Sequence, residues 1–124
     1  MAAPNIANPT TITGKTAYTA LTTTNATSVL SNASASGKVM KINSLIVSNV
    51  DGTNAASITI SLYSAAALGG TAYKICHTVT VPADASLVVI DKDSQIYLEE
   101  DKSIGATASA ASDLEVVCSY EEIS

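Results

Sequence analysis

Apolar and polar residues alternate along much of this chain with a period of two, the spacing of a half-buried β-strand. The clearest example is residues 57–63, where Ile58, Ile60 and Leu62 alternate with serine and threonine. Residues 73–81 continue the alternation. Helical spacing is nearly absent, and the β-branched residues that strands favour are common throughout. The pattern predicts an all-β protein.

Two segments are apolar in both phases of the alternation. They are residues 40–50, which contain Ile46 and Val47, and residues 87–90, a run of leucine, valine and isoleucine. A strand with apolar side chains on both faces is typical of one that is covered on both sides. The sequence therefore predicts two strands without a solvent-exposed face.

Turn signals separate the apolar runs at intervals of about 8–12 residues, which favours a sandwich or barrel over alternating strands and helices. Asp51 and Gly52 predict a hairpin turn between two of the strands. We therefore expect an antiparallel two-sheet β-sandwich of about eight strands. Jelly-roll and immunoglobulin-like strand orders produce the same alternation, so both remain open.

The alternation also predicts the residues of the hydrophobic core. The inward-facing positions of the clearest strands should supply it. The expected core residues are Ile58, Ile60, Leu62, Ile75, Val79, Leu87, Val89, Val116 and Cys118.

Residues 1–13 contribute little to this pattern and are predicted to form an extended N-terminal arm before a single domain over residues 14–124. Pro4 and Pro9 bias the neighbouring backbone toward extended conformations. Ile6 lies between the prolines and is the natural apolar anchor. A loose terminus and an arm that docks on a neighbouring protein both fit the pattern. The docking interpretation makes Pro4, Ile6 and Pro9 the candidate partner interface.

Composition indicates which partners the surface suits. Charged residues make up 14% of the chain, well below the ~25% of typical soluble domains, and serine, threonine, alanine and asparagine replace them. A polar, weakly charged surface loses little solvation energy against another protein, so the composition favours an interface-rich protein and a homo-oligomer. The net charge of −5 and the lack of arginine argue against nucleic-acid binding.

The sequence also argues against a membrane association. It contains no lysine cluster suited to an anionic membrane surface, and its first residues lack the basic and apolar regions of a signal peptide. No apolar run approaches the roughly 18 residues of a membrane-spanning helix. We therefore expect a protein that is made in the cytoplasm, with no membrane partner.

Residues able to carry chemistry are few. His77 is the single histidine, and it is expected to be partly buried near a sheet edge. Cys76 falls in the polar phase of its strand and Cys118 in the apolar phase, so the two thiols should face opposite ways and stay free. A nucleophile–base pair or a zinc site needs partners that converge. The sequence thus predicts no catalytic residue, no cofactor, no metal site and no enzymatic activity.

Several stretches together resemble small structural proteins of bacteriophage virions, particularly those of marine tailed phages. The resemblance runs from about Thr11 to the C-terminus. It is carried by strands and turns at residues 41–49, 57–63, 81–87, 96–109 and 115–123. The resemblance implies a β-sandwich subunit of a virus particle.

The most specific function that the resemblance implies is capsid decoration, in which the chain would act as a cement protein on the lattice of the major capsid protein. The location would then be the virion, after synthesis in the host cytoplasm. A tail, neck or fibre-attachment subunit, which would bind another virion protein, is the first alternative. A receptor- or carbohydrate-binding module is the second.

Overall fold

The computed structural model describes residues 4–124. Nine β-strands account for most of this part of the chain, and a short 3-10 turn, Lys92–Ser94, lies between the sixth and the seventh. The strands are β1 (Ile12–Ala20), β2 (Thr27–Asn32), β3 (Val39–Asn49), β4 (Ala56–Ala65), β5 (Gly69–Val81), β6 (Ser86–Ile90), β7 (Ile96–Leu98), β8 (Lys102–Ala108) and β9 (Leu114–Ile123). No helix among residues 4–124 is long and apolar enough to cross a membrane.

The strands form two antiparallel sheets. Sheet 1 contains β1, β9, β3 and β6 in that order, and the short β7 also pairs with β3. Sheet 2 contains β2, β8, β4 and β5 in that order. The predicted fold, an all-β antiparallel two-sheet sandwich, is confirmed, with nine strands where about eight were expected.

The strand pairing settles the order that the sequence left open. β1 pairs with β9, β2 with β8, β3 with β6 and β7, and β4 with β5. First strands therefore pair with last strands in a nested series, as in a long antiparallel ribbon that wraps into two sheets. This is the jelly-roll arrangement and not the immunoglobulin-like one.

The hairpin predicted at Asp51 and Gly52 is wrong. The strands on either side of this turn, β3 and β4, belong to different sheets, so the chain crosses from sheet 1 to sheet 2 there. The Asp51 carboxylate accepts hydrogen bonds from the main-chain N–H groups of Thr53 and Asn54 at 2.8 and 3.3 Å. Asp51 and Gly52 therefore belong to a loop that connects the two sheets and not to a tight hairpin. Asx turns are equally favourable in such a loop.

The core lies between the inner faces of the two sheets. Four of the predicted core residues are fully buried, namely Ile58, Ile60, Val116 and Cys118. Four more are partly buried and pack against the core, namely Leu62, Ile75, Leu87 and Val89. Most of the core prediction therefore holds, because alternation in a strand places every second side chain on one face.

Val79 is the exception, and its predicted place in the core is wrong. It lies opposite Ile58 in the register of β4 and β5, so it shares the inner face of sheet 2 with a fully buried residue. Its side chain is nevertheless 37% exposed. β5 is an edge strand of sheet 2, and most of its residues are exposed. Alternation predicts which way a side chain points, but not whether other residues bury it.

The register of β5 also changes the prediction for Cys76. Shifts on either side of the pair Ile60–Cys76 reverse the simple alternation, and Thr78 adopts a left-handed φ of 48° between Cys76 and Val79. Cys76 therefore packs against the core instead of facing outward. Both cysteines are free, as predicted. Burial raises the pKa of Cys118 to about 11 and raises that of Cys76 as well, which keeps the thiols protonated.

Two buried asparagine side chains donate hydrogen bonds to main-chain carbonyl oxygens, one at the end of β2 and one at the end of β3. The Asn49 side-chain amide, at the end of β3, donates to the carbonyl oxygens of Val81 and Asn54 at 2.9 and 3.0 Å. The Asn32 amide, at the end of β2, donates to the carbonyl oxygens of Lys38 and Leu98 at 2.9 and 3.1 Å. Each asparagine thus links its own strand to a segment far along the chain.

Candidate partner interface

The outer face of sheet 1 carries the side chains that point away from the core, which are every second residue along each strand. Along β9, Val116 and Cys118 are fully buried, so Val117 between them points outward. Along β3, Leu45 and Val47 are fully buried, so Ile46 points outward in the same way. Residues in register on neighbouring strands share a face, which allows the outer face to be traced across the whole sheet.

A continuous apolar row crosses this outer face from edge to edge. Tyr18 lies opposite Val117, Val117 lies opposite Ile46, and Ile46 lies opposite Val88. We call these four residues the apolar row. Tyr18 is 81% exposed, Val88 56% and Val117 43%, while Ile46 is half-buried between its neighbours. With strands about 4.8 Å apart, the row runs about 14 Å across the sheet.

Mostly short polar side chains flank the apolar row, and one carboxylate, that of Glu115, lies among them. Ser44, Ser119 and Thr16 form the neighbouring register position on one side. On the other side lie Ser48 and Ser86, whose hydroxyls are hydrogen-bonded at 3.0 Å, together with Glu115 and Ala20. The short side chains leave the row open to another protein surface, while the exposed Glu115 places a negative charge on one flank.

The predicted interface residues of the N-terminal arm lie before β1. Pro4 and Pro9 are half-buried, and Ile6 is 53% exposed. Residues 5–8 form a turn, since the N–H of Asn8 donates to the Asn5 carbonyl at 3.0 Å. Residues 1–3 of the predicted arm lie outside the described residues, and its last two, Ile12 and Thr13, belong to β1. The docking role of Pro4, Ile6 and Pro9 stays a prediction.

The start of β1 is held to the C-terminus by an ion-pair cluster. The Glu122 carboxylate lies 3.0 Å from the Lys15 ammonium and 2.9 Å from that of Lys38. Hydrogen bonds from Lys38 and Lys15 lower the pKa of Glu122, and the hydrogen bond to Glu122 raises the pKa of Lys15. The cluster keeps Lys15 directed toward Glu122 along a strand that otherwise carries no charged side chain.

His77 is exposed on β5, so the expected partial burial near a sheet edge is wrong, although β5 is an edge strand. Its position follows from the same irregular register that turns Cys76 inward. Among residues 4–124, no three potential metal ligands converge and no cavity was found.

Sequence reasoning did not find the apolar row, although a signal for it was present. Ile46 and Val88 belong to the two segments that are apolar in both phases, a pattern that predicts strands covered on both faces. The prediction is wrong for β6, because Val88 is mostly exposed. Every residue of β3 is buried or half-buried, although its outer face carries no second layer in residues 4–124. Exposed apolar patches of this kind mark interaction sites in many proteins.

The chain matches no protein-family model, and no curated protein matches it. A solved structure of Bacillus endospore appendages, described as "a novel family of disulfide-linked pili", is similar to it with a TM-score of 0.54 and 17% sequence identity. The similarity covers 92% of this chain and 88% of that chain. At this identity the similarity concerns the fold alone. The resemblance to phage virion proteins remains a prediction.

Proposed function

We propose that this chain is a non-enzymatic structural subunit of a larger assembly, and specifically a decoration protein on a phage capsid. In this role the chain adds to a lattice formed by another protein, the major capsid protein, and contributes contacts instead of chemistry. The observation that carries the proposal is the apolar row on the outer face of sheet 1. The sequence resemblance to virion proteins supports the phage capsid as the setting.

The apolar row suits attachment to a repeating lattice. Full burial of a side chain such as valine or isoleucine is worth roughly 1.5–3 kcal/mol. Ile46 is already half-buried in the isolated chain, so attachment would gain less from it. A single row of four side chains therefore gives a modest affinity once the cost of association is subtracted. Many copies on one shell multiply modest contacts into a stable coat, provided that neighbouring copies are linked.

A subunit of a filamentous appendage is a second candidate, favoured by the fold similarity to the Bacillus appendage structure. Those pili are disulfide-linked. In this chain Cys118 is fully buried and Cys76 packs against the core, so a disulfide between copies would have to use the half-buried Cys76. A ladder of covalent oligomers in non-reducing electrophoresis would favour the appendage over the capsid.

Immunogold labelling of purified particles tests the proposed location. Antibody against the chain should label phage heads densely and evenly if it is a decoration protein. Label at one vertex would identify a tail or neck subunit, and label along filaments would identify an appendage. Particles and filaments that carry no label would overturn the structural-subunit proposal, and binding of the isolated chain to a glycan array would then favour a carbohydrate-binding module.

Val88→Asp should weaken attachment to particles at least tenfold without unfolding the chain. The substitution places a carboxylate within the apolar row, where attachment would strip it of water without a compensating partner. Tenfold corresponds to about 1.4 kcal/mol, a small part of the cost of desolvating a charge. The measurement is a binding titration onto particles from which the native chain has been stripped.

Val50→Asp is the matched control for this titration. Val50 is 52% exposed, close to the 56% of Val88, but it lies in the loop after β3 and outside the apolar row. The same substitution there should leave the affinity within about twofold, since surface changes away from a contact have small effects. Equal weakening by both variants would mean that added negative charge, and not the apolar row, governs attachment.

Deletion of residues 2–9 should leave the melting temperature nearly unchanged and lower the occupancy on particles. The deletion spares Thr10 and Thr11, whose N–H groups donate to the Ser124 carbonyl, so β1 keeps its bonds to the C-terminus. It removes Ile6, whose burial on a partner is worth roughly 1.5–3 kcal/mol. Ile6→Ser in the full-length chain is the matched point variant. Unchanged occupancy for both would show that the arm takes no part in attachment.

A further inference from the structure

Edge strands are the places where a sheet can accept a strand from another molecule. Sheet 1 ends in β1 on one side and in β6 and the three-residue β7 on the other, and sheet 2 ends in β2 and β5. The pairings of β2, β5 and β6 with their neighbours all contain register shifts. β1 pairs with β9 through nine consecutive residues, Ile12–Ala20, without a shift. β1 is therefore the long and regular edge of the sandwich.

The hydrogen-bond pattern shows which groups of β1 face the open edge. Thr11 and Ser124 exchange both main-chain hydrogen bonds at 2.9 Å, and the N–H of Leu21 donates to the Leu114 carbonyl at 2.9 Å. Odd-numbered residues of β1 therefore bond to β9, because bonding direction alternates along a strand. The even-numbered residues direct N–H and C=O groups away from β9, and they are Ile12, Gly14, Thr16, Tyr18 and Ala20.

We propose that β1 pairs antiparallel with β1 of a second copy of this chain, with Thr16 opposite Thr16 at a two-fold axis. In this register Tyr18 lies opposite Gly14 of the second copy. The five even-numbered residues of each strand exchange all their N–H and C=O groups, which makes about ten hydrogen bonds across the axis. The proposal concerns the isolated chain and does not depend on the capsid.

Self-complementarity selects this register over its neighbours. An axis at Lys15 or Ala17 pairs four even-numbered residues instead of five, and an axis at Lys15 also opposes two lysines, which is unfavourable. An axis at Thr16 places Lys15 opposite Ala17 of the second copy, so no like charges meet. It also places Tyr18 beside Gly14, where a Cβ atom would have no other atom of the chain within 4 Å. An aromatic ring can cover such a glycine across a strand pair.

The pairing joins the four-stranded ladders of two copies into a continuous eight-stranded sheet. Because the two-fold axis is perpendicular to the sheet, the apolar rows of both copies lie on the same outer face. The rows are displaced along the strands by the offset of four positions from Gly14 to Tyr18, or about 14 Å. If the apolar row attaches to a particle, as proposed above, the dimer attaches through two rows at once.

Cysteine cross-linking of the isolated chain tests the pairing and its register. In a Cys76→Ser background, Thr16→Cys should form a covalent dimer under mild oxidation, since residues in a hydrogen-bonded pair have Cα atoms about 5.5 Å apart, within the range of a disulfide. Gly14→Cys and Tyr18→Cys should each stay largely monomeric in non-reducing electrophoresis. A mixture of these two variants should form a covalent heterodimer.

Thr16→Lys provides a second, non-covalent test. Two ammonium groups would meet at the axis, so the dissociation constant of the dimer should rise at least tenfold in analytical ultracentrifugation. The melting temperature at a concentration where both proteins are monomeric should not change, because Thr16 is exposed. Thr22→Lys, an exposed residue after β1, adds the same charge and should leave the dissociation constant within about twofold.

Three results would overturn the proposal. One is a parent chain that remains monomeric at the highest soluble concentration, which would leave the β1 edge open for a strand of another protein. Another is equal cross-linking of Thr16→Cys and Tyr18→Cys, which would indicate random collision or another register. The third is a Thr16→Lys chain that dimerises as tightly as the parent. None of these outcomes bears on particle labelling, so the dimer and the capsid role can fail separately.

Discussion

Asn49→Asp should destabilise the fold by about 3–5 kcal/mol, the scale on which an uncompensated buried charge acts. Asn49 is buried, and its amide donates to the carbonyl oxygens of Val81 and Asn54. An ionised carboxyl group cannot donate, so it would face two carbonyl oxygens without a hydrogen bond. The free energy of unfolding in urea at neutral pH measures the loss.

Asn25→Asp is the matched control for this substitution. Asn25 is exposed in the loop between β1 and β2, so the same change of one amide to a carboxylate should alter the stability by less than about 0.5 kcal/mol. The defect of Asn49→Asp should also shrink as the pH falls, because a protonated carboxyl group can donate one of the two lost bonds. Equal stability of the two variants at neutral pH would show that Asn49 does not hold its loop.

Val81→Ala should cost about 2 kcal/mol of unfolding free energy, while Val79→Ala should cost less than about 0.5 kcal/mol. Both valines lie on β5, two residues apart, and both have partners on the inner face of β4. Val81 is 1% exposed and Val79 is 37% exposed. The loss of unfolding free energy depends on how deeply the side chain is buried, because removing buried methyl groups loses the free energy of their burial and leaves a cavity.

Denaturant unfolding of the two variants measures this difference directly. The pair is matched in residue type, strand and facing, so secondary-structure propensity contributes about equally to both. Similar losses for Val79→Ala and Val81→Ala would mean that the edge of the sandwich is closed over Val79, as simple alternation predicts. That result would also weaken the assignment of β5 as an exposed edge.

Local alternation was sufficient for the class of the fold. Ile58 and Ile60 are fully buried in β4 as predicted, because neighbouring side chains of a strand point to opposite faces regardless of which strands pair. The same rule placed Val116 and Cys118 in the core of β9. These predictions required no knowledge of which strands lie side by side.

The strand order could not be predicted in this way. The pairing of Ile12 with Ile123 joins positions near the two ends of the chain, and nothing in either segment marks the other as its partner. The predicted hairpin at Asp51 failed for a related reason. The same turn residues serve a tight hairpin and a loop that crosses between sheets, and the choice depends on where the next strand finds a partner.

The apolar row shows most clearly what sequence and tertiary structure each decide for this protein. The apolar side chains on both faces of β3 and β6 follow from their residues alone, because neighbouring side chains of an extended chain point to opposite faces. The jelly-roll pairing decided that one of those faces is the outer surface of sheet 1, with Tyr18 and Val117 in line with Ile46 and Val88. Register across four strands is a property of long-range hydrogen bonding, which local alternation does not encode.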